Sequence, residues 1–257
     1  MNNDIHHQPS TINNKLSTIN EGAIFIADSH YNTQRNELVD ILEQIINGSI
    51  STTQLFLMGD IFDFLCSEAD YFVKINQKPI DMINQISKKL EVFYFEGNHD
   101  YNLQPLFPHV KVFKRERQPV LFLSQNNKVY LSHGDIYTDR SYNIYCSIIR
   151  NSYLLKFLNF IDFNNCITKK IESSLAKKII CKELSYFTHI VKKRISSYPN
   201  CDIIIEGHFH QNKSILDKNV HYFNLPSAFC SKSYAKMSQN CNVLEEIGVY
   251  DKQNINQ

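Results

Sequence analysis

Five apolar runs, each cut off by a polar cluster, constrain this 257-residue chain more than any other feature of it. They read AIFIAD (23–28), QLFLMGD (54–60), EVFYFEG (91–97), KVYLS (128–132) and CDIIIEG (201–207). Runs this short and this uniformly apolar suit strands covered on both faces rather than strands with one wet side. Where such strands end, the loops of an α/β protein converge on one edge of the sheet and build its site. The gaps carry helical periodicity. Leu38, Ile41, Leu42, Ile45 and Ile46 fall on one face ahead of Gly48, and Met82, Ile83, Ile86 and Leu90 repeat the pattern behind Pro79. Alternating strand and helix predict βαβ units.

The polar clusters are Asp28-Ser-His30, Gly-Asp60-Ile-Phe-Asp63, Gly-Asn98-His99-Asp100, His133-Gly-Asp135 and Gly-His208-Phe-His210. Each alone is weak: DxH can be a turn with a surface histidine, and GNHD a tight turn, since Asn and Gly tolerate left-handed backbone. Together they hold half of the ten histidines, and glycine directly precedes Asp60, Asn98 and His208. The donor set is imidazole, carboxylate and amide without thiolate, which suits Mn, Fe or Zn as divalent ions.

From Asp28 the key positions are spaced by 32, 38 and 35 residues to Asp60, Asn98 and His133, and then by 75 to His208. The long gap holds a basic segment. Residues 141–196 carry ten Lys or Arg against three Asp or Glu, about +7 in a chain whose formal net charge is +1. Ile167, Ile171, Leu175, Ile179, Leu184, Phe187, Val191 and Ile195 recur every three to five residues there. That reads as one long helix within a helical cap spanning 141–197. Residues 1–20 read as a polar, mobile tail, residues 21–257 as one domain, and the runs at 214–216, 220–223 and 247–250 as a closing antiparallel portion.

Composition narrows the setting. Seven widely spaced cysteines without a CxxC pair argue for free thiols in a reducing compartment. The polar N-terminus lacks the apolar core of a secretory signal, and no run approaches the roughly 18 apolar residues a spanning helix needs. The expected location is cytoplasmic.

The ordered set D-x-H, G-D-x-x-D, G-N-H-D, H, G-H-x-H resembles the calcineurin-like metallophosphoesterases, over residues 24 to about 250. That resemblance implies an α/β sandwich of two mixed sheets flanked by helices, and a centre for two divalent metal ions. Asp28, His30, Asp60 and His210 would hold one ion; Asp60, Asn98, His133 and His208 the other, with Asp60 bridging. His99 would stabilise charge or protonate the leaving oxygen. Asp63 and Asp100 would either orient imidazoles and backbone or cap their own loops.

Within that superfamily, SHGDIYTDRSY (132–142) is similar to a segment of the UDP-2,3-diacylglucosamine pyrophosphatases of lipid A synthesis, which also carry a helical insertion between the fourth and fifth motifs. The resemblance implies a nucleotide-linked glycolipid substrate, manganese as the metal, and Asp139, Arg140 and Tyr142 as substrate contacts. It implies a peripheral position on the cytoplasmic face of the inner membrane, against an anionic surface, with no nucleic-acid partner. His99 stands where those enzymes usually have arginine. Two other readings compete: a soluble phosphodiesterase or nuclease of the same superfamily, and a scaffold on an inactive fold. A scaffold is expected to have lost ligands, and this chain retains the full set.

Overall fold

A computed structural model describes residues 16–239 and 243–250. The strands are β1 Ile24–Ile26, β2 Gln54–Leu57, β3 Leu65–Cys66, β4 Glu91–Phe95, β5 Asp100–Tyr101, β6 Lys111–Phe113, β7 Val120–Ser124, β8 Asn127–Ser132, β9 Ile203–Glu206, β10 Lys213–Asp217, β11 Val220–Asn224, β12 Ser233–Met237 and β13 Leu244–Gly248. The helices are α1 Glu37–Ile46, α2 Asp70–Ile75, α3 Gln77–Ser87, α4 Arg140–Ile149, α5 Ser152–Ile161, α6 Cys166–Ala176 and α7 Phe187–Ile195. All five apolar runs are strands.

One sheet runs β13-β12-β1-β2-β4-β6, and a second runs β10-β11-β9-β8-β7. Each is mixed. β1, β2, β4 and β6 are parallel, as are β8, β9 and β11, while β12, β13, β7 and β10 add antiparallel edges. Successive side chains of a strand point to opposite faces, and here both faces are buried. Ile24, Ile26, Leu55, Leu57, Val92 and Tyr94 pack with α1 and α3 on the outer side of the first sheet. Phe25, Phe56, Phe93 and Phe95 face inward to meet Phe122, Val129, Leu131, Ile203 and Ile205 of the second. Register stacks three of these rings, with Phe25–Phe56 and Phe56–Phe93 centroids 4.6 and 4.7 Å apart. Because both faces are committed, a slip by one residue would exchange the aromatic layer with the aliphatic one, so register is fixed.

The cap departs from the expectation of one long helix. α6 stops at Ala176, an irregular stretch follows, and α7 starts at Phe187. The apolar positions serve two surfaces. Ile171 packs under the cap beside Phe72 and Tyr101, whereas Phe187, Val191 and Ile195 cover the outer face of the second sheet against Ile204 and Tyr222. Ile179, between them, is 89% exposed. So α7 belongs to the body, and α4, α5 and α6 form the cap proper. The tail also differs in part. Residues 1–15 lie outside the described residues, but Ser17 and Ile19 already bond to Leu123 of β7, and Ile19 is buried. The free-thiol expectation is corrected at one pair: Cys181 and Cys230 form a disulfide, while Cys66, Cys146, Cys166 and Cys201 are free. Residues 49 positions apart give no spacing signal. No helix among the described residues is long and apolar enough to cross a membrane.

Candidate metal centre

The loops after β1, β2, β4, β8 and β9 meet at one edge of the sandwich and bring the five motifs together. Asp28, His30 and His210 present donor atoms within 4.8 Å of one another, as do Asp60, His133 and His208. His30 also groups with Asp63 and His99, so these two border the cluster. His30 Nε2 lies 3.4 Å from His210 Nε2, which is 3.3 Å from Asp28 Oδ1. On the other side His133 Nε2 lies 3.4 Å from Asn98 Oδ1 and 3.6 Å from Asp60 Oδ1.

Backbone strain is concentrated here. Asp28, His30, Asp60, His208 and His210 all have φ between 43° and 64°, a region that non-glycine residues avoid unless their surroundings hold them there. The motif glycines allow the loops to approach. A Cβ on Gly97 would collide with the Asp60 carboxylate, and one on Gly59 (φ +84°) with the His133 ring. Asp100 is the hub of the arrangement. Its buried carboxylate accepts from the backbone N–H groups of Asp60, Ile61, Phe62 and Gly97 and from the Tyr94 hydroxyl, tying the second motif to the third. Asp63 accepts from Arg35 and Asn32 and sits 3.7 Å from His30 Nδ1.

Hydrogen bonding sets the imidazole tautomers. His133 Nδ1 donates to the Met58 carbonyl at 2.9 Å, and His210 Nδ1 to the Ile180 carbonyl at 3.0 Å. Each leaves Nε2 toward the cluster, as orienting contacts on metal-bound histidines do. Burial holds His30 down to about 3 and His208 down to about 4, so both rings are neutral with a lone pair available. Burial also opposes charge on His133, but the Asp60, Asp135 and Asp28 carboxylates outweigh it and lift the ring to about 10. Against the cost of burial, neighbouring imidazoles keep Asp28 low and Asp60 well below the usual carboxylate range. Burial and the charge on Asp60 raise Asp100. Buried anionic carboxylates facing imidazole nitrogens, with His30 Nδ1 lacking a hydrogen-bond partner among the described residues, form a donor set that fits divalent cations.

The remaining expected residues scatter. His99 is buried beside the cluster, its Nδ1 donating to the Asp63 carbonyl at 2.6 Å. Tyr142 lines a cavity next to His99 and lies near the Arg115 guanidinium. Asp139 is the N-cap of α4, accepting from Tyr142 N–H, and Arg140 is exposed; neither borders the cavity. Sequence reasoning missed Arg115 and Arg150, which flank buried Asp135 at 2.9 and 3.7 Å. Arg150, at the end of α4, also donates to the Gly97 carbonyl at 2.6 Å. Asp135 sits in a quoted motif and was open to notice; nothing local marks either arginine.

The calcineurin-like phosphoesterase family model matches residues 23–212. The chain belongs to that family. Among curated relatives, UDP-2,3-diacylglucosamine hydrolase of Vibrio atlanticus is 23% identical over 219 residues, covering 81% of this chain and 85% of the relative. The enzyme of the same name from Blochmanniella floridana is 23% identical, covering 73% and 79%. That of Aromatoleum aromaticum is 28% identical over 53% and 57%. Among solved structures, the phosphoesterase YfcE of E. coli aligns over 90% of this phosphoesterase and 95% of its own chain, with TM-score 0.50 and 14% identity, a likeness of fold.

Proposed function

We propose that this phosphoesterase cleaves the pyrophosphate of UDP-2,3-diacylglucosamine, giving UMP and 2,3-diacylglucosamine 1-phosphate. The observation that carries the reading is a cavity of about 450 Å³ that begins at Asn98 and His99 and runs beneath the cap. Its far wall is aliphatic, formed by Leu154, Leu155, Leu158, Ile171 and Leu175. An apolar chamber opening directly on a phosphate-cleaving centre suits a substrate with a charged phosphate at one end and hydrocarbon at the other. The names of the relatives point to the same substrate class.

Asp28, His30, Asp60 and His210 would hold one divalent ion, with Asp60, Asn98, His133 and His208 holding the second. Manganese is the proposed metal. Bound there, the two cations supply Lewis-acid polarisation of the phosphate and an acidified water as nucleophile. The chain's own residues do the rest. His99, anchored through Nδ1 to the Asp63 carbonyl, serves as the acid at the leaving oxygen. Lys178 brings positive charge to the cavity wall. Arg150 fixes the loop bearing Asn98 through the Gly97 carbonyl.

The outer face of the cap suits a bilayer. On or beside α5, Tyr153, Phe160 and Phe163 are 86%, 80% and 77% exposed. Aromatics exposed beside lysines are features that favour the interface of an anionic leaflet. We place the enzyme peripherally on the cytoplasmic membrane face. The test is to compare kcat/KM for UDP-2,3-diacylglucosamine in detergent with that for UDP-glucosamine, both with Mn(II). A preference of at least about a hundredfold for the acylated substrate is expected, since each buried methylene contributes about 0.8 kcal/mol. Equal values would sink the lipid reading and favour a soluble phosphodiesterase.

A further inference from the structure

The disulfide lies against a proposed metal ligand rather than in a remote loop. Cys230 Sγ is 3.8 Å from His210 Nδ1, and the residue before Cys181, Ile180, supplies the carbonyl that accepts from that same nitrogen. The two ends of the bridge differ in how firmly they are held. Cys230 sits in a turn fastened to the body: its N–H donates to Ser227 Oγ, which donates to the Asp28 carbonyl, and Ala228 N–H bonds to Ala27. Cys181 lies in the exposed stretch between α6 and α7. Gln211 holds that stretch at Lys182 and Leu184. At Ile180 itself, the bridge and the His210 contact are the ties back to the site.

We propose that the Cys181–Cys230 bridge is a reversible latch that positions His210, so that the thiol–disulfide state of the pair sets the affinity of one half of the metal centre. The proposal rests on the dinuclear reading above. Closed, the latch presses the Ile180 carbonyl onto Nδ1 and commits Nε2 to Asp28 and His30. Opening it takes two electrons and two protons. A dithiol reductant attacks the exposed sulfur, passes through a mixed disulfide and leaves as its own disulfide, and Cys181 and Cys230 become thiols. Ile180 is then free to withdraw with its stretch, and His210 loses the contact that fixes its tautomer. Among the described residues, Asn98, His133 and His208 make no direct hydrogen bond to this stretch, and the His133 ring is anchored on Met58. In reducing compartments the disulfides that occur are mostly transient or redox-sensing, and the exposure of Cys181 is what a reductant requires.

The experiment measures Mn(II) binding calorimetrically on the full chain in two states: air-oxidised, and reduced with dithiothreitol then desalted under nitrogen. Thiol titration confirms each state. Loss of an orienting contact on a metal-bound histidine typically costs about 10–100-fold in affinity. The expected result is therefore two ions bound when oxidised, and a drop of about that size for one ion only when reduced. Re-oxidation should restore it. The double variant Cys181→Ser/Cys230→Ser should remain in the weakened state and ignore reductant. Identical isotherms in both states overturn the latch, as does equal weakening of both ions, which would mark the bridge as a general structural clamp. Thiols at both positions in air-oxidised protein overturn it as well. No Mn(II) binding in either state overturns the dinuclear reading and the latch with it.

Discussion

The metal edge and the cap are built on opposite principles. At the edge the motifs are tied to one another: Asp100 alone collects five hydrogen bonds, and Asp28, Asp60 and His208 occupy backbone conformations that only a rigid surround maintains. The cap is thin. Across α4, α5 and α6, Cys146 and Thr168 are the buried residues, and the layer is held by the partly buried Ile149, Leu155 and Ile171 and by point contacts: Arg150 to Gly97, Asn159 to Asp70, and Tyr71 to Glu172. Rigid placement suits chemistry, where a small misplacement is costly. A loosely attached layer with few buried contacts opens at little free-energy cost, which suits the entry of a long apolar ligand.

The largest effect should come from the rigid side. Asp60→Ala removes the carboxylate proposed to bridge the two ions, and turnover on every substrate should fall below detection. Bound Mn(II), measured by elemental analysis after desalting, should drop from two ions to one or none. Two fully occupied ions in the variant would remove Asp60 from its bridging role.

His99→Ala should come next, because it separates chemistry from metal binding. The ring groups with His30 and Asp63 and lines the cavity. Losing a positioned acid should slow turnover about 10²–10⁴-fold with the metal count unchanged. Loss of an ion would make His99 a ligand, an option its grouping with His30 and Asp63 keeps in view. Normal turnover would make it a bystander.

The same contrast governs what could be read from sequence. The five strands were legible because burial on both faces forces continuous apolar runs, and the glycines and histidines at their ends mark where the loops converge. β12, Ser233–Met237, was not legible: a lysine and a serine interrupt its pattern, and its place beside β1 is set by pairing rather than by composition. The cap was misread as one long helix because periodicity reports that a face is apolar, not what covers it. Ile171 and Phe187 share that periodicity yet pack under the cap and against the second sheet. Arg150 and the Cys181–Cys230 pair were invisible for a related reason, since their partners are distant in sequence.

That division of the basic segment yields the smallest and most discriminating prediction. Lys177 and Lys178 follow α6 at the edge of the cavity, while Lys192 and Lys193 lie on the exposed side of α7, on the body. By charge count the two pairs are equivalent; by position they are not. If the cap faces an anionic leaflet, Lys177→Gln/Lys178→Gln should weaken vesicle binding by about 1 kcal/mol per lysine, about thirtyfold in affinity for the pair. Hydrolysis of the lipid substrate on vesicles should fall with it. Lys192→Gln/Lys193→Gln should change both by no more than about twofold. The gap between the variants should close as salt rises, because exposed charges are screened over about 8–10 Å at physiological ionic strength. Hydrolysis of bis-p-nitrophenyl phosphate should survive in both, since it makes no use of the cap. Equal losses from the two pairs would mean that the basic charge acts as a diffuse field and that the cap holds no privileged face toward the membrane.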